Sequence, residues 1–200
     1  MCTLVTKKAP DFTANAVLAD NTIVSDFNLY KNIGPKGAVV FFYPLDFTFV
    51  CPSELIAFDH RLNEFHERGI NVIAVSVDSH YTHLAWKNTP VERGGIGQVR
   101  YPMVADLTKK ISEEYGVLLP GGVALRGSFL LDKDGTVRHA VINDLPLGRN
   151  IDEMIRMVDA MIFTNEYGEV CPAGWHKGEK GMKASPEGVA EYLAENADKL

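Results

Sequence analysis

An unbroken apolar run rich in Val and Phe, Ala38 to Tyr43, predicts a central strand buried on both faces, and it stops at Pro44. Pro52 suits the first helical position. Leu55, Phe58, Leu62 and Phe65 then recur at helical spacing until Gly69 offers a left-handed stop, which predicts one helix. Val72 to Val77 reads as the next buried strand. Ser79 can cap a helix running to about Lys87, and Tyr101 to Ala105 reads as a further strand. A short helix over Leu107 to Tyr115 closes at Gly116. Ser128 to Leu131 and Val137 to Ile142 flank an Asp-Lys-Asp-Gly turn and predict an antiparallel hairpin. Asn150 with Glu153 resembles a capping box, opening a helix whose apolar face includes Ile151, Ile155, Val158 and Ile162.

Strands that alternate with helices and end in a hairpin plus helix predict an α/β fold, a mixed sheet covered by helices on both faces. A thioredoxin-like architecture satisfies that order. After Phe163 the texture changes: Gly, Lys and Glu become frequent, Pro172 and Pro186 interrupt, and only Pro186 to Ala197 regains helical character. The chain therefore divides into a core domain, residues 1–165, and a C-terminal arm, residues 166–200.

Composition narrows the function. The 200 residues are 46% hydrophobic, enough for a substantial core, and the net charge of −6 offers no basic face for a phosphate backbone. Nucleic acid is not an expected partner. No segment approaches membrane-spanning length, and Met1 to Phe12 lacks the apolar centre of a secretory signal, so the expected location is the cytoplasm. Thiols stay reduced there, and cysteines at 2, 51 and 171 are poor candidates for a static disulfide framework.

Val-Cys-Pro occurs twice, around Cys51 and around Cys171. The first copy follows a strand and opens a helix, where the helix N-terminus favours a thiolate. A sulfur that cleaves an O–O or S–S bond also needs donors that steady charge on the leaving atom. The Thr48 hydroxyl and the amides of the following turn are candidates, with a guanidinium from elsewhere in the chain. Cys51-Pro52-Ser53-Glu54 carries a carboxylate where a Cys-x-x-Cys motif would carry its second sulfur, which argues against a simple disulfide oxidoreductase. Any disulfide partner lies farther away, in the same or another subunit. Cys2 reads as a bystander. His80 and His83 have helical spacing without a zinc-type ligand pattern and read as solvated helix positions. Gly94-Gly95-Ile96-Gly97 lacks the residues of a phosphate loop.

The stretch Pro44-Leu45-Asp46-Phe47-Thr48-Phe49-Val50-Cys51-Pro52 resembles the active-site signature of the peroxiredoxins. Gly168-Glu169-Val170-Cys171-Pro172-Ala173-Gly174-Trp175 is similar to the resolving-cysteine segment of their typical two-cysteine class, of the alkyl hydroperoxide reductase C or thioredoxin peroxidase type. The likeness runs from about Ala9 to the C-terminus and takes in Ser76 to His80, Arg126 and Asn143 to Arg149.

The resemblance implies a thiol peroxidase for hydrogen peroxide and organic hydroperoxides that binds no cofactor or metal. Cys51 would be the peroxidatic thiolate and Cys171 of a partner subunit the resolving thiol, the two forming an intersubunit disulfide reset by a thioredoxin-like or flavoprotein reductase. Thr48 would bond the peroxide, Arg126 would steady the thiolate and orient the O–O bond, Pro44 would shield the pocket, and Glu54 with Arg149 would form a supporting pair. Such proteins are homodimers that often close into a decamer of five dimers. Gly94 to Gly97 and Tyr192-Leu193 resemble segments of a subclass prone to over-oxidation, with Leu193 where that subclass has Phe. A holdase chaperone in an over-oxidised high-mass assembly is the alternative reading.

Overall fold

Phe41 and Phe42 point to opposite faces of the sheet that organises the computed structural model, which describes residues 3–199. Cys2 lies outside the described residues. The chain forms two compact units, Met1–Ile151 and Asp152–Leu200. The first holds the sheet: β1 (Thr13–Val17), β2 (Ile23–Asn28), β3 (Gly37–Phe42), β4 (Ile70–Ser76), β5 (Met103–Ala105), β6 (Arg126–Asp132) and β7 (Val137–Asn143). Their order across the sheet is β2-β1-β5-β4-β3-β6-β7. β3, β4 and β5 pair in parallel, as the alternation of strands and helices predicts, and β6 and β7 form the antiparallel hairpin beside β3. This mixed α/β sheet is the thioredoxin-like fold.

The hairpin of β1 and β2 is not marked by the apolar pattern. β2 exposes Ile23, Ser25 and Asp26 and buries only Phe27 fully, so an edge strand with one thin apolar face gives little periodicity.

Helices α1 (Cys51–His60), α2 (Leu62–Glu67), α3 (His80–Lys87) and α4 (Lys110–Glu114) complete the first unit. The single helix expected from residue 52 to residue 68 is two helices, broken at Arg61, whose φ of −99° and ψ of 3° leave the helical region. Arg100 is the physical cause. Its guanidinium takes the Asp59 carbonyl at 2.7 Å, which the next helical turn would otherwise use, while its amide bonds the Asp59 carboxylate at 2.7 Å. The apolar positions keep their spacing across the break, so the pattern conceals it. α1 also starts one residue earlier than expected, with Cys51 first and Pro52 second.

Phe41 stacks on Phe58 of α1, with ring centroids 4.1 Å apart, and the buried Tyr101 hydroxyl donates to the Leu55 carbonyl at 2.6 Å. Together they fix the middle of α1 on the sheet. On the opposite face, Phe42 packs with Tyr115 and Phe129, at 4.9 and 5.8 Å, in a cluster that includes Val40, Val75 and Leu131.

α3 begins as expected, with the Ser79 hydroxyl accepting from the Thr82 amide. His83, expected on the solvated side, is instead fully buried. α3 turns His83, Trp86 and Lys87 inward, an i, i+3, i+4 face that two polar residue types disguise.

The second unit contains most of α5 (Ile151–Tyr167) and all of α6 (Pro186–Asn196). Between them Val170 and Met182 form a single antiparallel bridge, and Trp175 is buried against Phe163 with centroids 4.8 Å apart. Arg156 donates to the Trp175 carbonyl at 2.8 Å. α6 is capped by Ser185 and leaves Val189 and Leu193 exposed. No helix among the described residues is long and apolar enough to cross a membrane.

Lys87 is 1% exposed, and its ammonium donates to the Leu18 carbonyl at 2.8 Å and the Ala19 carbonyl at 3.3 Å. Burial pulls its pKa down from 10.5 to about 8, against the raising pull of Asp20 and Asp59. The unfolded chain therefore binds more protons between those two values, and stability rises with pH across that window. Urea unfolding midpoints should climb more steeply from pH 8 to 10.5 in the wild type than in Lys87→Met. Parallel curves for the two proteins would refute this.

Candidate active site

β3 ends at Phe42, a loop follows, and α1 opens on Cys51, which has no exposed surface. Val50, the N-cap, supplies no side-chain bond to the first turn, so the helix presents its N-terminal amides and partial positive charge there. The Val50 carbonyl accepts from the Ser53 amide at 3.1 Å and the Ser53 hydroxyl at 2.6 Å, which tightens that turn.

Arg126 arrives from β6. Ser128 pairs with Phe41, so Arg126, two residues earlier at the start of the antiparallel β6, stands where β3 gives way to the loop before α1. Its Nη1 lies 3.4 Å from the Cys51 Sγ and donates to the Glu54 carboxylate at 2.6 Å, while its Nε donates to the Leu145 carbonyl at 2.7 Å. The guanidinium is thus shared between the sulfur and a carboxylate one helical turn away.

Glu54 is 3% exposed and is gripped by a second arginine. Arg149 donates from Nε and from its amide to one carboxylate oxygen, at 2.8 and 2.9 Å, and from Nη2 to the other at 2.9 Å. Its Nη1 reaches the Phe42 and Gly127 carbonyls, both at 2.8 Å, and its Cζ sits 5.3 Å over the Phe41 ring. Every part of that guanidinium is held by β3, β6 or α1. Burial raises the Glu54 pKa, but the Arg149 bonds and the Arg126 charge outweigh it and hold the carboxyl below its ordinary value. For Arg126, burial works against the charge, and the bonds to Cys51 and Glu54 prevail and raise its pKa.

Of the residues singled out from the sequence, Cys51, Arg126, Glu54 and Arg149 meet in one buried cluster. Pro44 is buried at the start of the loop, and the Thr48 hydroxyl donates to the Leu45 carbonyl at 2.8 Å. Cys171 belongs to the second unit, half-buried, with its Sγ 3.7 Å from both the Ala160 carbonyl and the Thr164 hydroxyl. Both Cys51 and Cys171 are free thiols.

Sequence reasoning did not find the carbonyls of Leu145, Phe42 and Gly127, because backbone acceptors leave no residue-type signal. It also passed over the buried network beneath the loop. There the Tyr43 hydroxyl donates to Asp46 at 2.7 Å, and His83 Nδ1 lies 2.7 Å from the other Asp46 oxygen. Asp46 was visible only as part of a motif.

A family model described as the AhpC/TSA family matches residues 5–140, and one described as the C-terminal domain of 1-Cys peroxiredoxin matches residues 160–195. An alkyl hydroperoxide reductase C of Helicobacter pylori is 66% identical over 197 residues, covering 98% of this chain and all of the relative. A human mitochondrial thioredoxin-dependent peroxide reductase is 49% identical over 190 residues, 94% of this chain and 73% of the relative. The crystal structure of reduced Plasmodium vivax 2-Cys peroxiredoxin superposes with a TM-score of 0.93 at 50% identity, covering 96% of this chain and all of that one.

Replacing Glu54 by Gln leaves two buried guanidinium groups without a carboxylate. Glu54→Gln should cost about 3 kcal/mol or more in urea unfolding at neutral pH. The carboxylate's contribution is present above its ordinary value of 4.5 and is lost as pH falls below it, so the gap between the two proteins should narrow in acid. An unchanged midpoint at pH 7 would show that Glu54 does not hold the cluster.

Proposed function

The chain belongs to the AhpC/TSA family and is a 2-Cys peroxiredoxin, an enzyme that reduces peroxides, and we propose that Cys51 is its peroxidatic sulfur and Cys171 its resolving one. The observation that carries this reading is the Arg126 guanidinium 3.4 Å from a buried Cys51 at a helix N-terminus. Two buried arginines and one carboxylate leave one positive charge over, which a Cys51 thiolate balances.

The thiolate attacks one oxygen of a hydroperoxide: an S–O bond forms, the O–O bond breaks, and the departing oxygen leaves as water or an alcohol once protonated. Arg126 steadies the negative charge that passes from sulfur to oxygen, and preorganised donors of this kind are typically worth ~10²- to 10³-fold in rate. Thr48 commits its proton to the Leu45 carbonyl, so its oxygen is free to accept a hydrogen bond from the peroxide O–H. Pro44 shields the pocket from water. Glu54 and Arg149 hold Arg126 in place.

Cys51 sulfenic acid then reacts with Cys171 of a partner subunit; the S–S bond forms and water leaves. Since Cys51 has no exposed surface, this second step requires the first turn of α1 to open. Residues 166–200 serve as the exchange arm, and a thioredoxin-type or flavoprotein reductase resets the disulfide by thiol exchange. Hydrogen peroxide and small organic hydroperoxides are the substrates, and the working unit is a homodimer that assembles into a decamer in the cytoplasm. No observation favours the holdase reading.

Cys51→Ser should abolish peroxide consumption, and residual turnover would remove Cys51 from the chemistry. Peroxide-treated wild type should run as a linked dimer on a non-reducing gel that dithiothreitol collapses. The same linked dimer in Cys171→Ser would exclude Cys171 as the resolving thiol.

A further inference from the structure

Asp46 lies within the active-site loop, yet it makes none of the contacts that surround the sulfur. Its side chain has no exposed surface. One carboxylate oxygen accepts the Tyr43 hydroxyl at 2.7 Å, and the other faces His83 Nδ1 at 2.7 Å. His83 Nε2 lies 3.2 Å from the Val104 carbonyl of β5. The Asp46 amide donates to the Asp78 carboxylate at 2.9 Å, and the Ser76 hydroxyl at the end of β4 donates to the same Asp78 oxygen at 2.7 Å. A single residue of the loop is therefore tied to the end of β3, the end of β4, α3 and β5.

The next residue shows that this tie imposes a shape. Phe47 has a φ of 55°, the left-handed region that a bulky aromatic side chain disfavours, and its side chain is half exposed. Such a conformation persists only where its surroundings over-determine it, and strain of this kind gathers at functional sites. Asp46 fixes the backbone before Phe47. After it, the Thr48 hydroxyl closes on the Leu45 carbonyl, and the Phe47 ring lies 5.7 Å from that of Trp86. Among the described residues this network shares no hydrogen bond with the one formed by Cys51, Arg126, Glu54 and Arg149. One set of bonds surrounds the sulfur; the other shapes the loop that carries Thr48.

We propose that Asp46 is a positioning residue for the reaction with peroxide: clamped by Tyr43, His83 and Asp78, it forces the loop into the shape that sets the Thr48 hydroxyl against the bound peroxide. The inference rests on the reading of Thr48 given above. It makes a separable claim about rates, because the charge around the sulfur does not depend on the clamp. Losing the clamp should slow attack on peroxide, which needs an oriented O–O bond, and spare attack on an alkylating agent, which does not need Thr48.

The test compares two second-order rate constants in the full-length protein for Asp46→Asn, Tyr43→Phe and Thr48→Val. One is the reaction with hydrogen peroxide, followed by stopped-flow tryptophan fluorescence. The other is alkylation of Cys51 by chloroacetamide, followed by mass spectrometry. Asp46→Asn and Thr48→Val should each lower the peroxide constant at least about tenfold while alkylation changes less than about twofold. Tyr43→Phe removes one hydroxyl from the same carboxylate and should give a smaller fall of the same selective kind, about threefold, which carries the test should Asp46→Asn fail to fold. A proportional loss of both rates in the folded Asp46 or Tyr43 variants, or no loss of either, would overturn the positioning role while the Thr48 result stands. No effect of Thr48→Val on the peroxide constant would instead sink the Thr48 reading and this inference with it.

Discussion

Everything at the candidate site depends on one carboxylate shared by two arginines. Glu54 is buried, and a buried carboxylate is costly unless its lone pairs and its charge are both met. Arg149 meets them with three hydrogen bonds to Glu54, and Arg126 adds a fourth. The constraint works in the other direction as well. Arg126 can be held beside a sulfur, away from water, because the Leu145 carbonyl fixes Nε and Glu54 fixes Nη1, the same nitrogen that lies 3.4 Å from Cys51. Without that carboxylate, a guanidinium in this position would turn toward solvent or repel its neighbour.

The fold supplies the convergence. α1 is locked on the sheet in its middle by Phe58 and Tyr101, which sets its first turn over the C-terminal end of β3. In a parallel α/β sheet that end is where loops and helix N-termini meet, so reactive groups gather there. The antiparallel β6 brings Arg126 to the same end from the opposite chain direction. Cys51 and Glu54 share one helical turn, Arg126 and Arg149 lie 72 or more positions later, and the mixed strand directions make them neighbours.

Much of this arrangement was legible in the residues. The run from Ala38 to Tyr43, the cap at Ser79 and the turn after Leu131 each carried local signals strong enough to mark their elements. The candidate site was legible because Cys51 and Thr48 sit in one long motif, with Glu54 just beyond its end. Arg126 and Arg149 could not be told from surface arginines by composition alone, and only their motif context singled them out. What was hidden has physical causes. The break at Arg61 arises from a guanidinium 39 positions away, at Arg100, acting on a carbonyl. The inward face of α3 sets the polar residue types His83 and Lys87 beside Trp86, each of the two with a polar partner. The β1–β2 hairpin buries too little on one side to show a period. Tertiary hydrogen bonds act at the first two and thin burial at the third, and the pattern of apolar residues records neither.

The geometry also couples the two halves of the proposed cycle. Cys51 and Glu54 occupy the same first turn of α1, so a movement that frees the sulfur to meet Cys171 pulls on the carboxylate too. Opening would break the bonds to Arg126 and Arg149 together, whereas Phe58, Tyr101 and Arg100 act farther along the helix and can keep the rest of it in place. The cost falls short of the ~3–5 kcal/mol of a pair broken inside the protein, because an opened turn exposes its charges to water. With the sulfur as the proposed thiolate beside Arg126, that cost would still disfavour opening. In that cycle oxidation would replace the anion with a neutral sulfenic acid and remove one of the attractions holding the turn closed. In the proposed cycle the bonds around the first turn of α1 would therefore loosen after the reaction with peroxide, which would place the second step after the first.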